Sequence, residues 1–243
     1  MARAKRPTDE NVQAAATLYT KDRGAVYEIL MNAISEHRLK PGTKLTEEKL
    51  AAIFKVSRTV VREALQQMAF ERVVEILPNR GAFIASPTIA EAKEFFQARR
   101  YVEVPLLENI CKRVTTQEIK LLRQHVKQEE DARRSSDRRR IVRLSGEFHV
   151  LLASLSGNRF LERTVRGLQL LTCLTILLYD TPTDVTCQHN EHELLLDAVE
   201  ARDSLRAQKL MLDHLLGIEN SLHLEEPEEE EEDLEEILLG TGN

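Results

Sequence analysis

The stretch that most constrains this chain runs from Leu45 to Ala85, LTEEKLAAIFKVSRTVVREALQQMAFERVVEILPNRGAFIA. It opens with two short helical patterns. Leu45, Leu50, Ala51 and Phe54 mark the apolar side of the first; Val61, Ala64, Leu65 and Met68 mark that of the second. Lys55-Val56-Ser57 between them is too short for anything but a tight turn, and Ser57 suits an N-cap because its hydroxyl can accept an orphan amide hydrogen bond. Arg58, Thr59 and Arg62 then fall on the first turn and a half, off the apolar stripe. Two β-rich runs follow, Val73–Leu77 and Ala82–Ala85, joined by Pro78-Asn79-Arg80-Gly81, which is hairpin-turn chemistry with a cation at its tip. Helix, turn, helix and basic-tipped hairpin in this order predict a winged helix-turn-helix, whose second helix offers its N-terminal polar residues to base edges and phosphates. On that reading Arg58, Thr59 and Arg62 contact DNA, with Asn79, Arg80 and Gly81 in the wing and Lys44 and Lys49 on phosphates. Each of these groups taken alone also reads as a solvated surface residue.

The net charge of −6 argues against a polyanion partner until its distribution is considered. Residues Glu225 to Glu236 hold ten acidic groups and no basic ones, so without them the balance is +4. Lys21–Ser86 carries eleven Lys or Arg against eight Asp or Glu, the modest basic surplus that phosphate contact requires. The acidic run is expected to be disordered through self-repulsion, serving either as a solubilising tail or as a competitor of DNA for the basic face.

From Thr88 the chain becomes helical nearly to its end. The pattern predicts helices at Ile89–Val114, Gln117–Arg134, Arg138–Leu155, Arg159–Tyr179, Glu191–Ala201 and Ser204–Leu222, with Thr88, Thr116 and Asp203 as N-caps, Ser156-Gly157-Asn158 as a helix stop and Asp180–Thr186 as a loop. Aromatics make up 5% of residues and tryptophan is absent, so the core must be mostly aliphatic, which favours packed helices. The fold class expected is therefore mainly α: an N-terminal winged helix-turn-helix followed by an all-α antiparallel helical bundle. The domain plan is a flexible tail at 1–20, a DNA-binding domain at 21–86, an effector-binding and dimerisation domain at 87–224 and an acidic tail at 225–243. Arg3, Lys5 and Arg6 in the first tail read as a mobile segment or a minor-groove arm. Three scattered cysteines, Cys111, Cys173 and Cys187, fit neither a disulfide framework nor a cysteine zinc site. No secretory segment and no long apolar run is evident, so a cytoplasmic location and no membrane partner are expected.

Of seven histidines, His149, His192 and His214 each sit among strongly apolar neighbours on a different predicted helix. Three such imidazoles can converge on zinc, nickel or manganese, leaving a position open for a carboxylate-bearing effector, or each can be a satisfied core histidine. His37, His125 and His223 read as surface residues, and His189 as lying away from the pocket. Arg99 lies one turn before Glu103 and reads either as a carboxylate clamp or as an exposed or Glu103-paired arginine. Arg100 is expected on the surface. No general base beside the histidines and no nucleophile motif supports an enzyme. A bundle serving only to dimerise would not need a buried polar cluster.

Pro41-Gly42-Thr43, Leu45, Leu50-Ala51, Val56-Ser57-Arg58-Thr59, Val61-Arg62-Glu63-Ala64-Leu65 and Asn79-Arg80-Gly81-Ala82 together resemble the DNA-binding domain of GntR-family bacterial transcription regulators. Val60 stands where that family often has proline, a first-turn residue. From Thr88 to Leu222 the chain resembles the FCD ligand-sensing domain of the FadR-type branch, through Arg99 with Glu103, Phe148-His149, Leu152, Ser156-Gly157-Asn158, Glu191-His192, Leu195, Ala198 and His214-Leu215. The resemblance implies a homodimeric, effector-responsive regulator of a palindromic DNA operator, with a small organic acid as effector and a divalent metal on His149, His192 and His214. Metal-binding members usually carry Asp or Asn one turn before the first histidine; here that position is Ser145, which puts the fourth ligand in doubt and leaves Ser145, with Arg99, as an effector contact.

Overall fold

The computed structural model describes residues 23–179 and 190–224. The tails expected at 1–20 and 225–243, the loop expected at Asp180–Thr186, Cys187 and His189 lie outside the described residues. The first half contains α1 (Arg23–Ser35), β1 (Lys44–Leu45), α2 (Glu47–Phe54), α3 (Arg58–Phe70), β2 (Val74–Leu77) and β3 (Gly81–Ile84). The strands form one antiparallel sheet in the order β1-β3-β2, with Leu45 opposite Ala82 and Leu77 opposite Gly81. The chain is thus mainly helical with a winged helix-turn-helix at its N-terminal end. The two-residue β1 was not legible as a strand, and Leu45, expected on the first helix of the pair, lies in it. Thr46 is extended (φ −89°, ψ 118°), so the helix starts only at Glu47 and Leu45 enters the core from the sheet.

Local chemistry sets the remaining boundaries. Lys55 takes a left-handed conformation (φ 54°) that closes α2, and Ser57 accepts from the Val60 amide at 3.3 Å to open α3. At the wing, Asn79 (φ 58°) and Gly81 (φ 100°) supply the positive dihedrals the hairpin demands. Thr88 caps α4 (Ile89–Arg113) through a reciprocal box with Glu91. The same device, Thr115 with Glu118, caps α5 (Thr116–Arg134). Thr116, the cap expected from the sequence, is therefore the first helical residue: of two adjacent threonines, only Thr115 has a glutamate three residues on. Asp137 caps α6 (Arg138–Ser154), and Asp203 caps α9 (Ser204–Ser221). Gly157 ends the α6 turn at φ 70°, and a Cβ there would also lie 2.6 Å from the Arg113 guanidinium.

α7 (Arg159–Tyr179) joins the two halves. With α8 (Glu191–Glu200) it completes the second half, in which α4 packs on α9 and α7, α6 on α5 and α7, and α8 on α9 and α5. Leu170 and Leu174, four residues apart on one face of α7, are buried in the core that Val26, Ile34, Val61, Leu65 and Ile84 form in the winged domain. The rest of the bundle closes around Leu107, Ile110, Phe148, Val165, Leu196 and Leu215. The linker is fastened as well, because the Tyr179 hydroxyl donates to the Pro87 carbonyl at 2.8 Å.

Two histidines expected at the surface are not there. His37 (φ 55°) is buried, its Nε2 lacks a hydrogen-bond partner, and burial with the charges of Arg138 and Arg139 lowers its pKa to about 4. His125 is half-buried, with Nε2 2.8 Å from the Leu144 carbonyl oxygen. Both fall at helix packing seams that single-helix periodicity does not describe. Arg100 is partly covered and ion-pairs with Glu219 on α9.

Candidate functional site

On the winged domain, Arg58, Thr59 and Arg62 are all exposed on the first turns of α3, as are Lys44, Lys49, Asn79, Arg80 and Gly81. Burial of Val61, Ala64, Leu65 and Met68 turns the opposite side of α3 into the core and so aims the polar residues outward. Lys44 and Arg80 each lie over the Phe83 ring, 5.6 and 5.8 Å from its centroid, which keeps both charges at the wing. Lys49 stands apart from this group on α2. Sequence reasoning missed Glu47. Its carboxylate accepts from Arg62 Nε at 2.8 Å and Nη2 at 2.7 Å, and lies 3.7 Å from Arg58 Nη2. The Arg62 hydrogen bond holds the Glu47 carboxyl below the usual carboxylate range. The fork uses Nε and one Nη2 hydrogen, which leaves the outer edge of the Arg62 guanidinium free to donate.

In the bundle, His149 on α6, His192 on α8 and His214 on α9 meet. All three are buried, with His149 Nε2 3.1 Å and His192 Nε2 3.2 Å from His214 Nε2. Each ring is held from behind by a carboxylate on another helix: His149 Nδ1 by Glu103 at 2.6 Å, His192 Nδ1 by Glu129 at 2.8 Å and His214 Nδ1 by Glu191 at 2.7 Å. Phe148 stacks on His192 at 4.1 Å between centroids and meets His149 edge-on, which fixes the ring planes. A carboxylate that accepts a hydrogen bond from Nδ1–H leaves the lone pair on Nε2, so three lone pairs face one another across about one van der Waals contact. Burial keeps the His149 and His192 rings neutral: it lowers His149 to about 3 and His192 well below 6.5. Neutral imidazoles with carboxylates behind them make up the ligand-and-support arrangement of a metal centre, and the three ring nitrogens lie close enough together to hold one ion.

Arg99 is 1% exposed and combines the two readings left open for it. Its Nε donates to Glu103 Oε1 at 2.7 Å and its Nη1 to the Thr172 hydroxyl at 3.5 Å, while Nη2 has no partner. Burial would raise the Glu103 carboxyl, but Arg99 and His149 outweigh it and hold it down to about 2. Glu103 therefore links Arg99 to His149. Ser145 lines a small cavity with Arg99, His149, Gln169 and Thr172. Glu129 differs from Glu103: its Oε1 accepts no hydrogen bond and lies 3.5 Å from His125 Nε2, and burial pushes the carboxyl up to about 7. Sequence reasoning assigned no role to Glu103 beyond pairing with Arg99, and none to Glu129, Glu191 or Gln169. Glu191 is next to His192 in the chain but serves His214 on another helix, so no spacing rule could have paired them.

Comparison with known proteins matches residues 23–84 to the family described as bacterial regulatory proteins, gntR family, and residues 94–217 to the FCD domain. The chain belongs to the GntR family. Within it, the Nta operon transcriptional regulator of Aminobacter aminovorans is 33% identical over 136 residues, spanning 56% of this chain and 64% of that protein. The HTH-type transcriptional repressor RspR of Escherichia coli (strain K12) is 24% identical over 198 residues, 81% of this chain and 87% of that one. A GntR transcriptional regulator from Rhodococcus sp. RHA1 shares the fold, with a TM-score of 0.70 at 23% identity over 82% of this chain and 95% of its own. This GntR-family chain is a DNA-binding transcription regulator with an FCD effector-binding domain, and not an enzyme. Among the described residues no helix is long and apolar enough to cross a membrane.

Proposed function

We propose that the protein binds a short palindromic operator as a homodimer and that a small organic acid, with a divalent transition metal on His149, His192 and His214, controls its affinity for that operator. One helix-turn-helix reads one half-site, which is the reason for the dimer. Arg58, Thr59 and Arg62 read the site, with Asn79, Arg80 and Gly81 at the wing and Lys44 and Lys49 on phosphates. Glu47 positions Arg62 and keeps two cations from binding phosphate indiscriminately.

The observation that carries the metal reading is the convergence of three Nε2 atoms with a carboxylate behind every ring. Three imidazoles without a carboxylate ligand suit zinc or nickel better than manganese, which prefers oxygen. Bound there, the ion supplies a Lewis-acidic position that a carboxylate completes. Arg99 contributes Nη2, a buried guanidinium hydrogen-bond donor left unpaired by Glu103 and Thr172, and Ser145 a hydroxyl on the same cavity. Effector binding then shifts the population of winged-domain placements.

The test uses full-length protein purified without a histidine tag or chelator. Elemental analysis should find near one zinc or nickel per chain. Binding to its own upstream DNA should be salt-sensitive and sequence-preferring. Binding that ignores sequence refutes the operator reading, and a chain that takes up no ion on incubation refutes the metal.

A further inference from the structure

The cavity at Arg99, Ser145 and His149 has a free volume of about 20 Å³, room for one water. No organic acid fits it as it stands. Behind one wall lies a cleft of about 460 Å³ between α1 of the winged domain and the α6–α7 pair, a volume typical of ligand sites. Gly146, Gln169 and Cys173 border both spaces. The wall is thin at Gly146, where a Cβ would meet only Gln169 Oε1 at 3.6 Å and Cys173 Sγ at 3.9 Å. Gln169 is 5% exposed, and its amide nitrogen has no hydrogen-bond partner. Leaving such a donor unsatisfied is costly, and an acceptor on a ligand would relieve it. The cleft's apolar surface comes from Met31, Val150, Leu151 and Leu170. Its arginines are already matched, Arg143 with Glu147 and Arg166 with Glu162, so nothing there calls for a second ligand charge.

We propose that the effector is bipartite. Its carboxylate sits at Arg99 and the histidines, and its uncharged, largely apolar body passes the Gly146–Gln169–Cys173 wall, accepts a hydrogen bond from Gln169 and occupies the cleft against α1. This rests on the carboxylate reading of the site and names the class of acid: one with an extended apolar body. Met31 and Leu170 line the cleft and also belong to the winged-domain core, so the body touches the element whose placement governs DNA binding.

The test titrates butanoate, hexanoate and octanoate into the zinc-loaded full chain at constant ionic strength. In the wild type, affinity should rise about fourfold per added methylene. Asn32→Trp fills the cleft from its α1 wall, where Asn32 is exposed and is not among the residues that line the Arg99–His149 cavity. It should bind butanoate as the wild type does but lose the chain-length increment. An increment that persists in Asn32→Trp, or butanoate binding without any increment in the wild type, overturns the bipartite site alone. Butanoate that binds no better to the wild type than to Arg99→Met overturns the carboxylate reading and the proposal with it.

Discussion

Glu103→Ala should destabilise the apo-protein severely, and by a mechanism that can be separated from metal binding. Arg99 and Glu103 are 1% and 4% exposed. Removing the carboxylate leaves a buried guanidinium without its countercharge and His149 Nδ1 without its acceptor. Breaking a buried pair from one side costs about 3–5 kcal/mol. For a chain of this size, that is a fall in Tm of about 6–20 °C. The melts should be run in chelator, so that lost metal binding contributes nothing. Replacing both members, Arg99→Met with Glu103→Leu, removes the buried charges together and should recover much of the loss. Zinc affinity of Glu103→Ala should separately drop about 10- to 100-fold, because His149 loses the group that orients it. A loss under about 1 kcal/mol, or a double variant no more stable than Glu103→Ala, would refute the claim that the pair is a coupled buried unit.

Three further outcomes follow from the geometry. Zinc at 100 times its Kd should stabilise the wild type by about 2.7 kcal/mol, or about 5–11 °C, and His214→Ala by nothing; an equal shift in both proteins would move the ion elsewhere. Glu47→Gln should raise affinity for nonspecific DNA several-fold at low salt and lower the ratio of specific to nonspecific binding in anisotropy titrations; an unchanged ratio removes Glu47 from recognition. His37 has a folded pKa of about 4 against 6.5 when free, so the unfolded chain binds more protons between those values. Its contribution is therefore full above pH 6.5 and lost as pH falls toward 4, by at most about 3 kcal/mol. His37→Asn tolerates the left-handed backbone and should flatten urea-derived stability over that window, whereas an unaltered slope would place the acid sensitivity in other groups.

Local patterns in the chain were enough to determine the winged helix-turn-helix, because its parts are local: Ser57 caps α3 three residues before the amide it satisfies, and Val61, Leu65 and Met68 share a face by helical period alone. The same reasoning placed the six later helices to within a residue or so, since caps and periodicity act within a few turns. It also selected His149, His192 and His214, each inside an apolar run. What it left open was whether they meet. Their convergence depends on how α6, α8 and α9 pack, and each supporting carboxylate, Glu103, Glu129 and Glu191, comes from a different helix than the ring it holds. Sequence spacing encodes the direction of a side chain on its own helix, not the distance to another. For the same reason the junction between the halves was invisible: Leu170 and Leu174 read as one more core pair of a bundle helix, and only the tertiary structure decided that the core they close belongs to the DNA-binding domain.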